Sequence, residues 1–64
     1  MTKKVMAEEI LQSSSAIGVS ETRFYKNVNR HSKSRIERWY KDVVEAKTES
    51  EKKWHADYAM RYFQ

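Results

Sequence analysis

Apolar side chains fall along this chain in three groups separated by polar stretches. In the first, Met6, Ala7, Ile10 and Leu11 recur at i, i+1, i+4 and i+5, the spacing of one helix face, and Ile17 continues the stripe. Thr2 is placed to cap the start of this helix. Gly18, the only glycine, falls where a left-handed residue closes a helix. Ser13, Ser14 and Ser15 weaken the segment between Leu11 and Ala16, because short hydroxyl side chains compete for backbone hydrogen bonds. An earlier break there is the alternative end.

The second group, Ser20 to His31, fits two periods. Thr22, Phe24, Lys26 and Val28 alternate with Arg23, Tyr25, Asn27 and Asn29, and the β-branched and aromatic content favours a strand. Such a strand needs a partner, and a second copy of the same strand would make a two-stranded ribbon across a dimer. Read as a helix, Ser20 caps the segment and Phe24 and Val28 form an i, i+4 apolar pair.

The third group, Ser32 to Phe63, is helical on both sides of a polar join. Ser32 or Ser34 caps its start, and Ile36, Trp39, Tyr40, Val43 and Val44 make an apolar face. Trp54, Tyr58 and Tyr62 make a second stripe, with Ala59, Met60 and Phe63 beside it. Between them Lys47 to Lys53 is wholly polar. Thr48-Glu49-Ser50-Glu51 reads as a capping box that starts a new helix. Pairs such as Lys47 with Glu51 would instead carry one long helix through.

These elements predict a mainly α, single-domain chain over 1–64. It has an N-terminal helix, a short strand or helix at about 22–29, and a C-terminal long helix or helical hairpin. Phe24, Val28, Ile36, Trp39, Tyr40, Val43, Trp54 and Tyr58 are the expected core and dimer residues. A domain of 64 residues buries only about 60% of the surface its unfolded chain exposes. With no cysteine to form a disulfide, an intertwined homodimer is the expected remedy.

Composition narrows the function classes. No apolar run is long enough to span a membrane, and Glu8 and Glu9 interrupt the basic start before it becomes a signal-peptide core. A cytoplasmic protein is the expectation. The two histidines, His31 and His55, lack metal-ligand spacing, and no serine sits in a nucleophile turn. His55 and Asp57, two apart, fall on different faces of a helix. No enzyme activity, cofactor or metal is expected.

Charge changes the picture more. The net charge is +4, and the stretch from Thr22 to Lys41 alone carries +6 against a slightly acidic remainder. Seven basic side chains stand there against Glu37 alone: Arg23, Lys26, Arg30, Lys33, Arg35, Arg38 and Lys41. Tyr25, Asn27 and Asn29 are interleaved with them. Cations release the counterions condensed on a phosphate backbone, and amides reach base edges. All ten residues are therefore candidates for binding double-stranded DNA. A solvated, solubilising face and an acidic protein partner are the competing readings.

Ala16-Ile17-Gly18-Val19-Ser20 resembles the turn of a helix-turn-helix motif, with Phe24 at an apolar position of the following helix. Ser13 and Asn27 stand where that motif wants apolar residues, and Val28 comes one position late. If the resemblance holds, Thr22, Arg23, Lys26 and Asn29 project toward a major groove. The whole chain is also similar to small early proteins of lambda-type temperate phages, encoded between the exonuclease and excisionase genes. Size, the lack of cysteine and proline, and the run from Gly18-Val19-Ser20-Glu21-Thr22-Arg23-Phe24 to Arg35-Ile36-Glu37-Arg38-Trp39-Tyr40 carry that resemblance. It implies a small helical dimer with a short strand, acting in the host cytoplasm to favour lysis. The alternative to DNA is then a host regulatory protein, bound in an apolar cleft made by the C-terminal aromatics.

Overall fold

A computed structural model describes residues 1–16 and 18–63. These form four helices: α1 (Lys3–Ser13), α2 (Glu21–Val28), α3 (Lys33–Val44) and α4 (Glu49–Phe63). Three of the four starts follow from a side-chain cap, while Ser20, expected to cap α2, stands at its N-cap without a side-chain hydrogen bond. The Thr2 hydroxyl accepts from the Val5 N–H at 3.2 Å, and the Ser32 hydroxyl accepts from the Arg35 N–H at 3.3 Å. Thr48 accepts from the Glu51 N–H at 3.1 Å, while the Glu51 carboxylate accepts from the Lys47 N–H at 3.2 Å. The capping box is therefore real. Its glutamate reaches back one residue beyond the usual position.

α1, α3 and α4 pack together, and short α2 closes one end by contacting α1 and α4. The direction of each helix is fixed by what its ends meet. Lys3, at the start of α1, donates to the Asn29 and His31 carbonyls at 3.3 and 3.0 Å, just before α3 begins. Gln12 and Ser13, at the other end, border a cleft with Glu49 and Lys52 at the start of α4. α1 and α3 thus run parallel, and α4 runs back against both. The core draws on all four helices: Met6, Ala7 and Ile10; Phe24 and Val28; Ile36 and Val43; Ala56, Ala59, Met60 and Phe63.

Two open alternatives are decided and one expectation needs correction. The segment 22–29 is not a strand but part of α2, so the ribbon that would join two copies does not form. Phe24 and Val28 satisfy both periods, but only the helix buries them together while leaving Thr22 and Lys26 in solvent. Glu21 in its first turn and Lys26 in its last also suit the helix dipole. The segment 33–63 is a helical hairpin rather than one helix, broken across 45–48. Trp54 and Tyr58 do not enter the core: they are 62% and 41% exposed, as is Tyr62 at 46%. The face of α4 that does enter carries Ala56 and Ala59, small enough to let α4 lie close to its neighbours.

The N-terminal stripe holds, with Met6, Ala7 and Ile10 buried and Leu11 half-buried. Ile17 lies outside the described residues. α1 ends at the three serines: Ser14 is its C-cap, and its hydroxyl donates to the Leu11 carbonyl at 2.9 Å. Gly18 does adopt a left-handed φ of 76°, but in the connecting loop rather than at the helix end.

Candidate functional site

Four aromatic rings form a continuous ladder at the surface. Trp54, Tyr58 and Tyr62 stand at i, i+4 and i+8 on α4, one above another. Trp54 stacks on Tyr58 at 5.7 Å between centroids and 13° between planes, and Tyr58 meets Tyr62 at 5.5 Å. Trp39 of α3 then stacks on Tyr62 at 5.3 Å and 22°, joining the two helices. The inner edge of Trp39 rests on buried Phe63 in a T-shaped contact at 5.1 Å.

His31 holds the far end of this ladder. Its Nε2 donates to the Tyr62 carbonyl at 2.7 Å, satisfying one of the carbonyls left open at the end of α4. Its ring also packs edge-on against Trp39 at 5.3 Å. The loop between α2 and α3 is thereby tied to the C-terminus of α4, which fixes where Arg30 and Ser32 sit.

Beside the ladder lies an open groove of about 730 Å³ between α3, α4 and this loop. Arg30, Arg35 and Arg38 line it together with His31, Trp39, Tyr58 and Tyr62, against one carboxylate, Asp42. The Arg35 guanidinium lies over the Trp39 ring at 5.6 Å, a cation–π contact. The Tyr58 and Tyr62 hydroxyls share a hydrogen bond of 3.4 Å. That bond, with the repulsion between the two phenolates and some desolvation, raises the Tyr58 pKa above its ordinary value; Arg61 and Arg38 pull the other way. The Tyr58 hydroxyl is therefore held in its neutral form beside fixed positive charge.

The candidates of the basic segment do not share one surface. Arg30, Arg35 and Arg38 converge on the groove. Arg23 and Asn27 line a separate cleft with Gly18, Val19, Ser20 and Phe63. Tyr25 turns toward α1, where Lys4 lies 5.2 Å from its ring centre. Burial, then Glu8 and Glu21, raises its pKa. Lys33 pairs with Glu37 at 4.0 Å on the same helix. Lys26, Asn29 and Lys41 are exposed and line neither cleft. Tyr40 packs against the core, and its hydroxyl bonds to Glu9, which raises its pKa.

The helix-turn-helix reading fits only in part. α2 is a helix where that motif wants one, but seven residues, 14–20, separate it from α1 where the motif uses a turn of three or four. The sequence reading places Trp54 and Tyr58 in the core and gives an exposed aromatic cleft only as the alternative. The signal that would have found it is the competing spacing Ala56, Ala59, Met60 and Phe63, at i, i+3, i+4 and i+7, which is the inward face. No family model, curated protein or solved structure matches the chain.

Proposed function

We propose that this chain is a small regulatory protein that binds nucleic acid through the groove between α3 and α4, with no catalytic step of its own. The observation that carries this reading is the convergence of Arg30, Arg35 and Arg38 on one groove walled by Trp39, Tyr58 and Tyr62. Guanidinium groups attract phosphate, and exposed aromatic rings give the non-ionic part of the contact somewhere to go. A mobility-shift series at rising salt tests it. Binding should weaken linearly on a logarithmic scale, with a slope of about −0.9 for each duplex phosphate neutralised or about −0.7 for each single-strand phosphate. Absence of binding to any nucleic acid at low salt refutes the reading.

A second reading rests on the exposure of Trp54: a helical adaptor whose ladder is covered by a host regulatory protein or by a second copy of the chain. Such a contact buries apolar surface and changes little with salt, which separates it from the first. If two copies associate this way, the melting temperature rises with protein concentration. The phage-type role in favouring lysis is compatible with either.

A further inference from the structure

Nucleic acid offers a protein its phosphates, its base edges and its base faces. The groove between α3 and α4 is furnished for the first alone. Resting on the reading above, we propose that it grips the sugar–phosphate backbone and reads no base, so that binding is indifferent to sequence.

Base faces need an open ring to stack on. The rings that wall the groove are already engaged. Trp39 has Tyr62 stacked on it at 5.3 Å and the Arg35 guanidinium over it, and Tyr58 has Trp54 stacked on it at 5.7 Å. Base edges need amides or arginines that protrude into a major groove about 8.5 Å deep. Among the described residues no side-chain amide lines the groove: Asn27 lies in the other cleft and Asn29 in neither. Arg30, Arg35 and Arg38 line a concavity. What reaches them must itself be a ridge, and the ridge of a nucleic acid is its backbone.

The groove is rich in donors instead. Among the described residues none of the three arginines is paired with a carboxylate. The Ser32 and Ser34 hydroxyls, 3.3 Å apart, line the same groove, and Asp42 is the one carboxylate on its lining. Three guanidiniums neutralise three phosphates at most. The logarithmic salt slope should then be about −2.7 on a duplex and about −2.1 on a single strand, the two sources of this backbone.

The test is a set of anisotropy titrations of the full chain with labelled oligomers of equal length. These are two duplexes of opposite base composition, oligothymidylate, and an abasic deoxyribose-phosphate oligomer that keeps the backbone and lacks every base. The two duplexes should bind within about three-fold of each other, because one bidentate base contact would separate them by about five-fold or more. The abasic oligomer should bind within about three-fold of oligothymidylate, because stacking of one base would add about five-fold or more. The tighter of duplex and single strand identifies the preferred source. Arg35→Ala, at an exposed position of α3, should weaken binding of all four oligomers alike, by about five-fold to ten-fold at about 0.1 M salt, through loss of one phosphate contact. Circular dichroism confirms that the variant folds. A gap of about five-fold or more between the duplexes, or between oligothymidylate and the abasic oligomer, shows that bases are read. That result overturns this proposal and leaves the nucleic-acid reading standing. No binding of any oligomer at low salt overturns both. Uniform binding that Arg35→Ala and Arg38→Ala leave unchanged puts the backbone elsewhere on the surface, and it too overturns both.

Discussion

Asp57 receives both polar hydrogens of Ser15. The Ser15 backbone N–H donates to one carboxylate oxygen at 2.6 Å and its hydroxyl donates to the other at 2.8 Å. The two residues are 42 positions apart, so this pair ties the loop after α1 to the middle of α4. Asp57 invites a catalytic interpretation because His55 is near in sequence, but both carboxylate oxygens serve this loop. Asp57→Ala should destabilise the fold by about 1–2 kcal/mol, the lower end of what a charged hydrogen-bond partner contributes, because the bonds are reached by solvent. Asp57→Asn keeps one acceptor and should cost less. Urea denaturation of both variants checks the order; equal losses would mean that one neutral acceptor contributes nothing to the tie.

The core and the ladder should respond oppositely to truncation. Phe63 is fully buried and meets Phe24, His31 and Trp39 at 5.7, 5.5 and 5.1 Å. Phe63→Ala should cost about 3–5 kcal/mol, enough to unfold a domain this small. Trp54, larger but mostly in solvent, should change stability by no more than about 0.5 kcal/mol when replaced by alanine. Thermal melts of the two variants measure the contrast. A cooperative melt for Phe63→Ala near that of the parent would show that the core is assigned to the wrong face of α4.

The helix starts were legible because each depends on a few neighbouring residues. Thr2, Ser32 and Thr48 cap in the structure as their positions suggest. The state of 21–28 was not legible, because Phe24 and Val28 sit four apart and fit an alternating and a helical pattern equally. Contact with α1 and α4 decides it, and that contact is a tertiary fact. The ladder failed for a related reason. α4 carries two apolar stripes, and large rings look more core-like than alanines. Close packing of three helices reverses that preference, since a small side chain lets the backbones approach. The groove depends on which arginines share a face with rings from another helix, and sequence spacing within one helix does not contain that.

Gly18 offers a clean measure of backbone strain. Its φ is 76°, and a Cβ placed there would meet nothing within 4 Å. Gly18→Ala should therefore cost about 1–2 kcal/mol through the left-handed conformation alone, with no steric clash to add. Gly18→Asn should cost less, since asparagine tolerates that region better. Denaturation midpoints of the two variants test the ranking. A neutral Gly18→Ala would mean the loop adopts another backbone path.

The hydroxyl pair in the ladder has a pH signature. Tyr58 is raised above the ordinary tyrosine value of 10.0 first of all by its hydrogen bond with Tyr62. Because the folded value is the higher one, the stabilisation is complete below the unfolded value and is lost as pH rises through the folded one. Tyr62→Phe removes both the bond and the second phenolate, leaving Arg61 and Arg38 to act unopposed apart from desolvation. The tyrosine ionisation midpoint should then move down, seen as earlier growth of phenolate absorbance in an alkaline titration. An unmoved midpoint would show that the two hydroxyls do not interact in solution.

The basic segment should divide by position rather than by residue type. Arg38 lines the groove beside Tyr58, whereas Lys26 on α2 lines neither cleft. If phosphate is bound where the three arginines meet, Arg38→Ala should weaken binding to every sequence and make the logarithmic salt slope shallower by about one unit. Lys26→Ala removes the same formal charge from elsewhere on the surface. It should leave the slope almost unchanged, because an exposed charge beyond about 8–10 Å is screened at ordinary ionic strength. Parallel mobility-shift titrations at several salt concentrations make the comparison. Equal effects from the two variants would mean that net charge alone draws the ligand, and the groove would lose its claim to be the site.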